Sequence, residues 1–552
     1  MLSRRRGLAL GAGAFCLAAA LLPIAHSGAT STLNENSSTL QLSLPGPFTG
    51  CSYLDPGATV TSDAILDLVR PSAFLTNFNG TLVGAGGAIA SAELISLSPQ
   101  TVRYNLSPEM VWSDGLAFNG ADLVDWWQRA RALASVTSDG YRAIKSLVVA
   151  TNGLSVTATF ATPYADWDLL FRDMEAPGTT PGCAIANLAS RPSLGPYEVK
   201  SATLSRIVLA MNPKWPLNTN RYGRIVITDN QNLPAAANAS YADYTLALNS
   251  ASIVALSSHP LLESHIGSSN NVEELTFAPG LAATRQRLVR AALSLSINRQ
   301  AMIDKLFGSI TYSPSVAASA IYSQGQSQYP GPSGSNLGGQ STTTTTTIAP
   351  TSNTLSDCAT CAISDLERAG YSKTAKGWVS DSSPVPLTVP LGVGASDLDH
   401  AVSRLIIGDW RSLGVRVQIV KEKSDIAAAG AAASGRVDAA LFARPTQTNA
   451  SYAARSWAGP SYRDTYQSGV RIAAVTSLFT QAASIFNPVT AAPTWLQIDQ
   501  IIMSDFWVRP LFTAPSLTIW SGTISPVSGS FIVSGFVDQI PSWSKIPIST
   551  GS

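Results

Sequence analysis

The sequence predicts an α/β protein of more than one domain, and three observations carry that reading. The chain is 552 residues long, more than a single hydrophobic core ordinarily serves. Between Arg103 and Trp127 it passes directly from an extended run through a tight turn into a capped helix. From Leu387 to Ile419 it runs strand, helix, strand, the order of a βαβ unit in a mainly parallel sheet.

In the first of these stretches, Arg103 to Leu106 ends an extended run. Ser113-Asp114-Gly115 is turn chemistry, because Asp bonds its own backbone and Gly accepts a positive φ. Asn119 is placed as an N-cap, with Asp122 in the first turn where the helix dipole favours an acid. Leu123, Trp126 and Trp127 then share one helical face.

These residues also carry a resemblance. Trp112-Ser113-Asp114-Gly115, then Phe118-Asn119-Gly120 and Asp122-Leu123-Val124, closely resemble the signature of the family 5 extracellular solute-binding proteins, the oligopeptide- and dipeptide-type receptors of ABC importers. Further similar segments follow in order from Tyr53 to Trp520. They include Gly195-Pro196-Tyr197, Ile207 to Pro213 with Trp215 beyond, Ala282 to Phe307, and Val508 to Phe512. The resemblance implies a two-lobed periplasmic-binding-protein-like fold of type II with an extra N-terminal subdomain in the first lobe. It also implies hinge strands between the lobes, a ligand buried where they meet, and a membrane permease that reads the closed form.

Composition excludes several function classes. A net charge of +1, with 13% charged and 45% hydrophobic residues, gives no electrostatic footprint for nucleic acid. Arg4 to Arg6 followed by the apolar run Leu8 to Ile24 reads as an export signal, with small residues near Ala25 to Ala29 for cleavage. Both general and twin-arginine export fit, and Phe15 before Cys16 argues against lipidation. Beyond the signal four cysteines remain, an even count that reads as disulfides in an exported protein. Cys358 and Cys361 are the local pair, leaving Cys51 with Cys183. A redox role for the C-x-x-C is the alternative, but it lies beside a threonine-rich tract and not at a strand-to-helix junction.

The expected division is 1–29 export signal, 30–40 flexible spacer, 41–275 first lobe with its subdomain, 276–489 second lobe and 490–552 return to the first lobe. Cys51 to Pro56 is expected to close the opening strand, Ala64 to Phe74 to be helical, and Asn77 to Gly80 to turn. Leu147 to Phe160 reads as a hairpin around Asn152-Gly153, and a helix is expected to start at Trp167 to Phe171. Asn298 opens a second helix after Leu295, ended by Gly308. Residues 323–357, with threonine at every position from 342 to 347, are expected to be a disordered loop. His400 to Leu413 reads as an amphipathic helix closed by Gly414, and Val415 to Ile419 as a strand.

No catalytic constellation is present: no G-x-S-x-G, H-E-x-x-H or phosphate-loop motif occurs. Ser542-Trp-Ser-Lys545 stands alone near the C-terminus, and Pro260 prevents His259, Glu263 and His265 from sharing a helix face. An enzyme, a metal site and a cofactor are therefore not expected. The resemblance points to the first strand's end and to the segment after Gly435-Arg-Val-Asp438 for ligand contacts, giving Tyr53, Phe442, Arg444, Trp457 and Tyr462 as candidates. Trp112, Ser113, Asp114, Gly115, Asp122, Gly195, Pro196 and Tyr197 are expected to be structural. Peptide-binding members carry an Asp after that strand for the peptide's amine, yet Leu441 to Tyr452 contains no acid. Arg444 stands there instead, either ion-paired or holding an anionic group or a sugar oxygen.

The expected function is capture of a small peptide or other small solute for an ABC importer. The protein would act as a monomer in the periplasm or on the outer face of the cell membrane, where the N-terminal segment would anchor it if uncleaved. The alternative is a non-transport envelope regulator on the same fold.

Overall fold

The computed structural model describes residues 39–52, 54, 60–77, 81–133, 138–179, 184–217, 222–229, 240–245, 254, 257, 262–322, 328–330, 357–445, 449–458, 466–521, 524, 525, 527, 536, 537 and 539–545. The export signal, nearly all of the spacer and nearly all of 323–357 lie outside these residues, as do Tyr53, Cys183 and Tyr462.

A ten-stranded sheet runs through the molecule. Its order is Arg416–Lys421, Thr388–Val393, Ala439–Pro445, Leu262–Phe277, Val508–Ser521, Tyr241–Thr245, Thr39–Leu44, Arg224–Asp229, Arg206–Met211, Tyr197–Ala202. The first three strands belong to lobe II and are mutually parallel. Helices Asp397–Leu413 and Asp425–Ala433 make their crossovers. The last five belong to lobe I. The two long central strands belong to both lobes, pairing antiparallel along their length.

That pairing is interrupted twice: its register shifts between Ser268 and Val272, opposite Thr513 to Pro515, and again between Glu273 and Glu274, opposite Phe512 to Pro510. Bulges of this kind unpair residues and bend the strand. Val508–Ser521 pairs with both Leu262–Phe277 and Tyr241–Thr245, while helix Pro488–Ser504 packs with the helices around Trp457, Phe479 and Trp495.

The subdomain is a second, four-stranded antiparallel sheet, Ile89–Leu97, Gln100–Leu106, Ser155–Phe160 and Ile144–Val149 in that order. Helix Gly120–Ala132 packs on it through Leu123, Trp126 and Trp127. Asn119 and Asp122 form the full capping box that their spacing allows. The Asn152-Gly153 hairpin forms as expected, with Gly153 at φ +72. In lobe II, Ser396 and Asp399 cap helix Asp397–Leu413, and Gly414 ends it at φ +100.

Several local expectations are corrected. The opening strand is Thr39–Leu44, ending at Pro45 and Pro47, which have no amide to donate; Cys51 and Ser52 lie in a bend. The first helix spans only Val60–Asp67, well short of Phe74, because the chain turns ahead of Pro71. Trp167–Leu169 is a single 3-10 turn, since Phe171 takes φ +55 and its amide bonds the Tyr141 hydroxyl at 2.7 Å. As expected, Asn298 caps helix Arg299–Phe307 and Gly308 ends it, at φ −62. The Cys358–Cys361 disulfide is present, with Cα atoms 5.2 Å apart. Cys51 is buried and disulfide-bonded.

Candidate functional site

The motif Trp112 to Gly115 fastens the subdomain to lobe I. Trp112 Nε1–H donates to Asp122 at 3.1 Å, so the capping residue also holds the indole. Ser113 exchanges backbone and side-chain bonds with Ser193, and Asp114 accepts the Leu116 amide at 3.0 Å. Gly115 turns at φ +96. Gly195 packs so closely on the main chain of Leu68 and Val69 that a Cβ would fall within 2.7 Å of a carbonyl oxygen. Pro196 accepts the Asn212 amide, and Tyr197 donates to the Tyr222 carbonyl at 3.2 Å. These residues position the subdomain relative to the sheet.

Three of the five candidate ligand residues fall within the described structure. Phe442 and Arg444 lie on Ala439–Pro445, the lobe II neighbour of the first hinge strand. Phe442 is buried and stacks on Tyr466 at 5.8 Å. Arg444 is 3% exposed; its Nε donates to Glu274 at 3.0 Å and its Nη2 to the Ala320 carbonyl. Of the two alternatives the sequence left for it, the structure shows the ion pair. Trp457 is buried in the helical core of lobe II, with no hydrogen-bond partner for its Nε1 among the described residues.

The two lobes meet again away from the hinge, through residues that sequence reasoning missed. Helix Ala450–Arg455 of lobe II faces Asp139, Tyr164 and Asp166 of the subdomain. Asn449 Nδ2 donates to Asp166 at 3.1 Å, and the Ser451 hydroxyl donates to the same carboxylate. Arg455 bonds Asp139 at 3.0 Å and reaches the Tyr164 hydroxyl at 3.5 Å. The Ala165 amide donates to the Ala483 carbonyl at 3.1 Å. Beside them, burial and then the Asp166 charge push the Asp168 carboxyl up to about 7. Side-chain partners separated by 283 to 316 residues leave no spacing pattern to read.

The geometry is thus a two-strand connection with register shifts on one side and a polar contact on the other. A cavity of about 260 Å³ lies elsewhere, in the seam between lobe I and its subdomain, beside Arg70, Tyr197 and Trp215. Among the described residues no three or more His, Cys, Asp or Glu side chains are grouped to hold a metal ion, and no helix is long and apolar enough to cross a membrane.

Comparison with known proteins agrees with this architecture. The family model for bacterial extracellular solute-binding proteins, family 5 Middle, matches residues 86–465. The oligopeptide-binding protein OppA of Mycobacterium tuberculosis strain ATCC 25618 / H37Rv is 28% identical over 238 residues, 38% of this chain. The match spans 40% of the length of that relative. Among solved structures, the periplasmic EDTA-binding protein EppA superposes with a TM-score of 0.80 at 19% identity, covering 93% of this chain and 97% of its own. The oligopeptide-binding protein AppA of Bacillus subtilis, in complex with a nonapeptide, gives 0.72 at 13% identity, covering 92% and 99%. These are type II periplasmic-binding-protein folds, the class expected from the sequence. With the family model covering more than half of its length, the chain belongs to the bacterial extracellular solute-binding proteins of family 5.

Proposed function

We propose that the protein is an extracytoplasmic receptor that closes its two lobes on a small solute and presents it to the permease of an ABC importer. One observation supports this reading most strongly: lobes joined by two bulged strands touch again through Asp139–Arg455 and Asp166–Ser451. Such contacts exist only when the lobes are together, so a ligand bound between them adds its contacts to the same state and shifts the population. The chain performs no chemistry in this scheme; affinity and closure are its work.

Arg444 is already matched by Glu274, so it has no charge to spare for an anion. Asp166 adds a carboxylate at the lobe contact, held there by Asn449 and Ser451. The oligopeptide-binding relatives OppA and AppA support a short peptide as the ligand class. EppA is named for binding EDTA and AppA was solved with a nonapeptide, so the fold accommodates both kinds of solute.

A thermal-shift panel of short peptide pools, metal chelates, sugars and lipid head groups tests the proposal. A ligand at 100 times its dissociation constant stabilises by about 2.7 kcal/mol, and peptides are expected to give the shift. A panel without any shift would support the envelope-regulator reading instead.

A further inference from the structure

A cluster of three carboxyl groups lies inside lobe II, away from the lobe contact and independent of the transport reading. Glu273 lies on the first hinge strand between its two register shifts and is fully buried. Neither of its oxygens has a hydrogen-bond partner among the described residues. Asp399 stands in the first turn of Asp397–Leu413, where its Oδ2 accepts the Ser396 amide at 2.8 Å and the Ser396 hydroxyl at 2.6 Å. Its Oδ1 is buried and has no hydrogen-bond partner among the described residues. Asp425 opens helix Asp425–Ala433.

Their mutual approach is fixed by backbone. Oxygens of Asp399 and Asp425 both lie within 2.6 Å of the point that a Cβ on Gly394 would occupy, so only glycine leaves room for the pair. Asp399 acts on both Glu273 and Asp425, raising each of them. The charged groups acting most strongly on Glu273 are Asp399, Asp425 and Glu274, all acidic, and Glu274 is engaged with Arg444. Asp399 is the charged group acting on Asp425. Two carboxyls can share a hydrogen bond only if one holds a proton, and three anions in a buried site without a cation are prohibitively repulsive.

We propose that this cluster is a proton-binding site, in which Glu273 and Asp425 hold protons and donate them to Asp399. The bound protons join the hinge strand to the N-terminal ends of two lobe II helices. Asp399 is the natural acceptor, since it already takes two donors in the positive end of its helix. Burial, followed by the neighbouring Asp399, pushes Glu273 well up and Asp425 to about 8. The protons behave as one coupled set. Because the folded state holds protons that the unfolded chain releases above about pH 4, the stabilisation is complete below that pH. It is lost as pH rises through about 8.

The test uses the full mature chain and its double variant Glu273→Gln, Asp425→Asn, which keeps donors aimed at Asp399. Denaturant unfolding is measured from pH 5 to 9. Each proton retained in the folded state lowers the folding constant of the wild type about tenfold per pH unit, and the double variant should show a correspondingly shallower slope. Infrared spectroscopy of the folded proteins should show a buried protonated-carboxylic-acid band that the double variant reduces, a readout independent of stability. Equal slopes with an unchanged band would overturn the proposal. So would stabilisation by calcium or potassium chloride at pH 8 that the double variant lacks, which would make the cluster a cation site.

Discussion

Arg455, at the end of the short lobe II helix Ala450–Arg455, bonds Asp139 of the subdomain at 3.0 Å, across 316 residues of chain. Its guanidinium also lies 5.2 Å from the Tyr452 ring, so it leaves its own helix already oriented towards the other lobe. In the proposed closure the pair belongs to the closed arrangement alone. Arg455→Ala should therefore weaken ligand binding without unfolding either lobe. A charge-assisted bond contributes roughly 1.5–3 kcal/mol, and the partial exposure of Asp139 puts this one at the low end. Titration with the ligand should show affinity lowered about tenfold, and unaltered affinity would remove the pair from the closure mechanism.

Asp168 gives the same contact a pH dependence. Its carboxyl is raised to about 7 by burial and by Asp166, so it holds a proton in the closed structure that a solvated Asp would release. The associated stability is present below about pH 4 and is lost as pH rises through about 7. Melting temperature followed from pH 5 to 8 should fall less steeply in Asp168→Asn than in the wild type. Parallel curves would show that Asp168 does not titrate there.

Arg444 and Glu274 are both almost wholly buried, at 4% and 1% side-chain exposure. Arg444→Ala removes the ion-pair partner of a buried carboxylate and should cost about 3–5 kcal/mol in denaturant unfolding. The double replacement Arg444→Met, Glu274→Leu should recover most of that loss. If Arg444→Ala instead retained full stability but bound ligand more weakly, the arginine would be a ligand residue after all.

Asp122 serves two donors, its own helix's N-cap amide and the Trp112 indole. Asp122→Ala removes a cap and strands a buried N–H, each worth about 1 kcal/mol or somewhat more. Unfolding free energy should drop by about 2–3 kcal/mol, while Asp122→Asn should lose less. A drop below 0.5 kcal/mol, the range of an ordinary surface change, would contradict the shared role.

What could be read from the chain and what could not follow a physical division. Asn119 with Asp122, Asn152-Gly153 and Leu413-Gly414 act through bonds or dihedrals a few residues long, so their effects were written locally and emerged as expected. Trp167 to Phe171 has helical composition but is overruled by the Tyr141 hydroxyl, which takes the Phe171 amide. Arg444 was visible as a departure from the peptide-binding pattern, yet its partner Glu274 lies 170 positions away on another strand. The lobe contact was invisible for the same reason: Asp139, Asp166, Asn449, Ser451 and Arg455 form no motif until two lobes meet. Glu273, Asp399 and Asp425 are each unremarkable acids in sequence, and only Gly394 and the hinge strand bring them together.

Capture between moving lobes is most directly tested by distance. Spin labels at Thr162→Cys and Val489→Cys would sit at exposed positions flanking the Ala165–Ala483 contact, with the native disulfides left intact. Pulsed electron resonance would be recorded with and without the panel member giving the largest thermal shift. The hinge account predicts a broad or two-component distance distribution in the ligand-free protein that narrows to its shorter component on binding. A single distribution that bound ligand leaves unmoved would contradict it.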